Sequence, residues 1–145
     1  TGHNVVFNNT GGANGGSYNL TVQQAGNPNL ISQGIVAPGW TPANLSTGVV
    51  SNSGFASTDV LAGAIQSGLS GNSSQQALGR HPENLATGLG RVGAHEAGHY
   101  FLQLTDHPNN GVMRAGFNGN QWFSPAYNDT FRFTAQQAQQ LARRC

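Results

Sequence analysis

The sequence predicts a single α+β domain over residues 1–145, a small mixed β-sheet with a central helix and a C-terminal helix. Three observations predict it. The first third is made of short β-branched segments bounded by Gly/Asn turns. Helical apolar spacing replaces them further on, at 58–69, at 91–104 and at the C-terminus. No repeat or break in composition marks a second domain, and 145 residues can bury a real core.

The expected strands are "NVVFNN" (4–9), "YNLTVQQ" (18–24), "LISQGIVA" (30–37) and "TGVVSNSG" (47–54), with "GGANGG" at 11–16 as a flexible turn. In "TDVLAGAIQSGL" (58–69), Val60, Leu61, Ala64, Ile65 and Leu69 share a helical face, and Thr58 or Asp59 could cap it. Residues 70–90 read mostly as loop, with "RHPEN" as a turn. The clearest helix is "RVGAHEAGHYFLQL" (91–104). Ala94, Ala97, Phe101 and Leu104 form one face of it, and His95 and His99 lie on another. Gly93 and Gly98 cost that helix about 1 kcal/mol each relative to Ala, so packing must hold it. Residues 107–129 are too rich in Gly, Asn and Pro to be regular and read as a long functional loop. "FTAQQAQQLARRC" is a second helix. Thr134 and Gln137 form a capping-box pattern, and Arg143 and Arg144 suit the negative end of its dipole.

Charge is scarce. Only 8% of residues are Asp, Glu, Lys or Arg, against about 25% in ordinary domains. All six basic residues are arginines, and a net charge of +1 offers little attraction to nucleic acid or an anionic membrane. Neither partner is expected, and no apolar run reaches the roughly 20 residues of a membrane span. Against a reading of disorder stand 37% apolar residues and a dozen aromatics. Cys145 is the only cysteine, so no internal disulfide forms. The start lacks a basic-then-apolar leader, as in a mature chain or a domain of a longer protein. A secreted or delivered, monomeric protein is the corresponding expectation.

Within this charge-poor chain, "AHEAGHYFLQLTDHPNNGVMRAG" (94–116) gathers three of the five histidines and two of the five carboxylates. His95-Glu96-Ala97-Gly98-His99 fits H-E-x-x-H. Histidines at i and i+4 project from one helical face and can reach one ion. The glutamate between them is placed to hold and deprotonate a water at that ion. Zinc suits two imidazoles with an open position, acidifies such a water and polarises a carbonyl. At this composition a chance match is of order 10⁻³. A third ligand is needed. No glutamate follows Glu96, which excludes a downstream glutamate ligand and leaves His107, Asp106 and Asp129.

The segment resembles the metzincin zinc peptidases, and most of all the matrixins, whose signature is H-E-x-x-H-x-x-G-x-x-H followed by a methionine turn. "HEAGH" and "PNNGVMRAG" carry the resemblance, which covers about the last third of the chain. It implies a zincin architecture, a zinc cofactor, and Met113 as a turn methionine beneath the metal. Leu102 stands where the family has its glycine, and Thr105 where it has its third histidine. An unbroken helix cannot supply the ligand, since residue 106 would lie ~10 Å along the axis from His99. The expectation is therefore a helix end between Gln103 and Thr105 and a loop two residues longer, bringing in His107. Asp106 is then an acceptor for a ligand N–H, or merely a residue at the helix end.

The resulting expectation is a zinc metalloendopeptidase acting on a protein or peptide bound extended in the cleft. His95, His99 and His107 hold the metal, and Glu96 is the general base and acid. Two other readings remain open. One is a peptidase-like toxin or effector domain of a larger secreted bacterial protein, and the other is a zinc-stabilised binding module without turnover. Asp129 and Tyr127 read as turn and packing residues before they read as ligand or oxyanion donor. Trp122 and Phe123 read as pocket or core, and His3 and His81 as surface.

Overall fold

The computed structural model describes residues 3–8, 16–67 and 80–144. It is a small α+β fold around a four-stranded mixed sheet. Strand β1 (His3–Asn8) runs antiparallel to β2 (Ser17–Gln23), with Val5 opposite Leu20. β2 pairs in parallel with β6 (Ser53–Ser57), Leu20 facing Gly54. β3 (Gly39–Trp40) closes the other edge antiparallel to β6, giving the order β1-β2-β6-β3. β4 (Ala43–Asn44) and β5 (Val49–Val50) form a separate two-stranded ribbon. Alternation along β2 sends Tyr18 and Leu20 into the core and Ser17 and Asn19 outward.

The expected strand at 30–37 does not form. Pro28–Ser32 is instead a short helix, α1, because Asn27 caps it by accepting from the Asn29 N–H and Pro28 starts it. Val36 remains 71% exposed, and its β-branched segment joins no sheet. The segment at 47–54 divides between β5 and the start of β6.

Helix α2 (Thr58–Ser67) follows β6 directly. Its cap is Ser57, not Thr58 or Asp59: the Ser57 hydroxyl accepts from the Val60 N–H and donates to the Gln24 carbonyl. The rest of the sequence-predicted helix, 68–69, lies outside the described residues, as do most of the 11–16 turn and Cys145.

The central helix, α3 (Pro82–Leu102), begins nine residues earlier than the apolar spacing predicts. "RHPEN" is its start rather than a turn: His81 is extended at the N-cap and Pro82 presets the first helical φ. The burial also differs from a simple amphipathic wheel. Ala94 and Phe101 are half-buried, while Arg91, Glu96 and His99 are buried with Val92 and Ala97. Packing explains both glycines. A Cβ at Gly93 would meet Phe7 Cζ at 2.8 Å, and one at Gly98 would run into the Met113 sulfur. The sheet approaches one side of α3 and the methionine the other.

Two cores result. Tyr18, Leu20 and Ala56 pack with Leu61, Ile65, Val92, Ala97 and Trp122 between sheet and helices. Leu102, Val112 and Met113 form the second, flanked by Phe133 and Leu141. The 107–129 loop contains one 3-10 turn at Gly119–Trp122 and runs into another at Pro125–Phe131. Helix α4 (Ala135–Arg144) carries the expected capping box: Gln137 Oε1 accepts from the Thr134 N–H, and Thr134 Oγ1 from the Gln137 N–H. Among the described residues no helix is long and apolar enough to cross a membrane.

Candidate metal centre

His95 and His99 stand one turn apart on α3, and the chain then turns back sharply. Leu102 is the last helical residue, and Gln103 adopts a left-handed conformation (φ 50°, ψ 46°). A non-glycine residue there costs on the order of 1–2 kcal/mol. The Gln103 side chain offsets that cost. Its Nε2 donates to the Tyr100 carbonyl at 2.7 Å, and its Oε1 accepts from the Val50 N–H at 3.0 Å. The helix therefore stops without a glycine at 102, and the following loop brings His107 back to the helix face.

The three imidazoles meet at one point. Nε2 of His99 lies 3.1 Å from that of His95 and 3.2 Å from that of His107, and the last two are 3.2 Å apart. Three nitrogens 2.0–2.1 Å from a tetrahedral ion would be ~3.3 Å apart. For the two helix histidines the opposite ring nitrogen settles the tautomer. Nδ1 of His95 is 2.7 Å from the Val112 carbonyl, and Nδ1 of His99 is 2.6 Å from the Leu104 carbonyl. A carbonyl only accepts, so each Nδ1 carries the proton and each Nε2 offers a lone pair inward. Lone pairs so close repel one another unless a cation sits between them. The three histidines are close enough to bind a metal ion.

Burial favours the neutral form of the two helix imidazoles. It pushes His95 down to about 4, and His99 is lowered for the same reason. Glu96, only 4% exposed, is pushed up to about 7 by burial, against the opposing pull of a hydrogen bond from Thr41. That bond is short: Thr41 Oγ1 donates to Glu96 Oε2 at 2.7 Å. Glu96 and the three histidines line a cleft of about 570 Å³, whose other walls include β3, Phe117 and Trp122.

The remaining candidates lie elsewhere or act differently. Asp106 is exposed and its charge is felt by His99, but it accepts no hydrogen bond from a ligand among the described residues, where backbone carbonyls hold the rings instead. Asp129 forms an exposed ion pair with Arg132 at 3.0 Å and is not near the histidines. Met113 is fully buried against α3 at Gly98. Trp122 serves both readings, packing in the core and lining the cleft, and Phe123 packs against the core. Tyr127 is half-buried in the second 3-10 turn and does not line the cleft. His81 is exposed at the start of α3, and the His3 side chain lies outside the described residues.

Three residues were not singled out by the sequence reading. Thr41 and Tyr18 contact Glu96 or one another from segments remote in sequence, and no local pattern signals it. Arg91, one turn before His95, did carry a signal. It sits in an apolar helix with no carboxylate at i±3 or i±4, so its partners had to be non-local. They are the carbonyls of Gln121 and Ser124 and the Asn128 side chain, with Phe131 beneath the guanidinium.

The chain matches no family model, no curated protein and no solved structure.

Proposed function

We propose that this protein is a zinc-dependent endopeptidase. The observation that carries the reading is the convergence of three imidazole Nε2 atoms within 3.2 Å of one another, at a cleft that also receives Glu96. Imidazoles suit several first-row metals, and three of them with one position left open are the ligand set of catalytic zinc. Bound there, zinc would supply Lewis acidity and a site for water and a substrate carbonyl.

The protein's own residues supply the rest. Glu96 takes a proton from the attacking water and delivers it to the leaving amine. Its buried position favours that exchange, because an excluded carboxyl releases and accepts a proton near neutrality. β3 is an edge strand on the cleft wall, and an edge strand can take an extended peptide by pairing with it. A purely structural metal site has no use for an open cleft or a carboxylate in it.

The test is digestion of casein and a peptide library by the zinc-loaded protein and by Glu96→Gln. Wild type cleaves. The variant retains one equivalent of zinc and loses turnover by several orders of magnitude. Equal cleavage by the two refutes the proposed role of Glu96. Zinc binding without cleavage of any substrate leaves the chain a metal-binding module.

A further inference from the structure

We infer that Thr41 and Tyr18 are positioning residues that hold the Glu96 carboxylate through a two-bond hydroxyl relay. This rests on reading Glu96 as the proton carrier. Three elements converge on that carboxylate. Tyr18 comes from β2 and is fully buried; Thr41 follows the edge strand β3; Glu96 comes from α3. The Tyr18 hydroxyl lies 2.7 Å from Thr41 Oγ1, and Thr41 Oγ1 lies 2.7 Å from Glu96 Oε2.

The chemistry fixes the direction. With Glu96 ionised the carboxylate only accepts, so the single Thr41 proton points to Glu96 and the Tyr18 phenol must donate to Thr41. The same Thr41 oxygen is 3.3 Å from the Glu96 backbone carbonyl, so it is centred on this one residue. Burial of Tyr18 raises its pKa and keeps it a phenol, a permanent donor.

The packing reserves the space. A Cβ at Gly54 would collide with the Tyr18 hydroxyl and come within 2.9 Å of Thr41 Oγ1. A Cβ at Gly39 would meet Glu96 Oε1 at 2.7 Å. A glycine thus stands beside each end of the relay. The carboxylate of a helix-borne Glu has three rotatable bonds, and fixing it against the sheet holds it in one orientation towards the cleft. Displacing such a group by about 1 Å can cost 10²-fold in rate.

The experiment compares wild type with Thr41→Val, Thr41→Ser, Tyr18→Phe and Glu96→Gln, measuring zinc affinity, kcat and KM on one peptide substrate. Thr41→Val and Tyr18→Phe should lower kcat about 10–100-fold with zinc affinity and KM unchanged, and Thr41→Ser should restore most of the rate. Tyr18 is buried, so its effect cannot come from touching substrate. A loss confined to KM, or wild-type kcat in both Thr41→Val and Tyr18→Phe while Glu96→Gln is inactive, overturns the relay and leaves the base assignment standing.

A second measurement needs no turnover. In metal-free protein, urea unfolding is followed for Thr41→Val, Glu96→Ala and the double variant. A coupling of about fivefold or more in the unfolding constant supports the bond, with Thr41→Val costing less once the carboxylate is gone. Additive effects overturn it, even if no peptidase activity exists.

Discussion

Arg91→Met should destabilise the protein by about 2–4 kcal/mol, far more than its helix position suggests. Arg91 is only 7% exposed, and no carboxylate pairs with it among the described residues. Its charge is met by dipoles: Nη1 donates to the Gln121 carbonyl at 2.6 Å, and Nη2 to the Ser124 carbonyl at 3.0 Å and Asn128 Oδ1 at 2.7 Å. Hydrogen bonds to a charged group net about 1.5–3 kcal/mol each. Gln121 and Ser124 are half-buried and Asn128 is exposed, so water can re-satisfy part of what is lost, which brings the sum down to the figure above. Methionine keeps the volume and an aromatic contact with Phe131, so the comparison isolates the donors. For a chain of this size the change should lower Tm by roughly 6–15 °C. Urea unfolding followed by circular dichroism measures it, with an unchanged m-value showing that stability alone has moved. Arg91→Lys should recover less than half, because a point charge cannot reach three acceptors as the guanidinium fork does. A loss below about 0.5 kcal/mol in Arg91→Met would refute the claim that this arginine ties the 3-10 turns to α3.

Zinc titration against a competing chelator should show His107→Ala without tight binding and Asp129→Ala unchanged. Asp106→Ala should lose no more than about fivefold, since an exposed charge is worth at most ~1 kcal/mol. A His107 variant that binds like wild type would remove that residue from the centre. Added zinc at 100 times its Kd should raise unfolding stability by about 2.7 kcal/mol, reversed by chelator; an unshifted Tm would mean that the folded site has no preference for the ion. Met113→Leu is close to volume-conserving and should cost under about 1.5 kcal/mol while zinc binding persists. Gly98→Ala gains about 1 kcal/mol of helix propensity but drives a methyl into the Met113 sulfur, a clash of about 1–3 kcal/mol, so the net effect is expected to be a loss. A stabilised Gly98→Ala would show that Met113 does not pack there.

Sequence alone determined what depends on near neighbours in the chain. The i,i+4 spacing places His95 and His99 on one face of a helix whatever surrounds it, and the Thr134–Gln137 pattern specifies a cap three residues long. The need for a chain reversal before His107 was equally legible, because a straight helix carries residue 106 out of reach. Local chemistry misled where a neighbour of different kind prevailed. "LISQGIVA" has strand composition, yet Asn27 and Pro28 start a helix that runs into it, and the remainder joins no sheet. Pro82 read as a turn because nothing near it in sequence shows that α3 would pack along α2 and the sheet.

Tertiary structure decided whatever joins distant segments. Gln103 can end α3 in a left-handed conformation because Val50, more than fifty residues away, holds its side chain. The rings of His95 and His99 are aimed by the carbonyls of Val112 and Leu104 rather than by Asp106, a choice open only once the loop has closed. Glu96 owes its position to Thr41, just after β3, and to Tyr18 on β2, and Arg91 owes its burial to carbonyls thirty residues on. Spacing along a helix is enforced by backbone hydrogen bonds over a single turn. The direction in which a buried polar side chain points is set by whichever donors and acceptors the folded chain brings beside it.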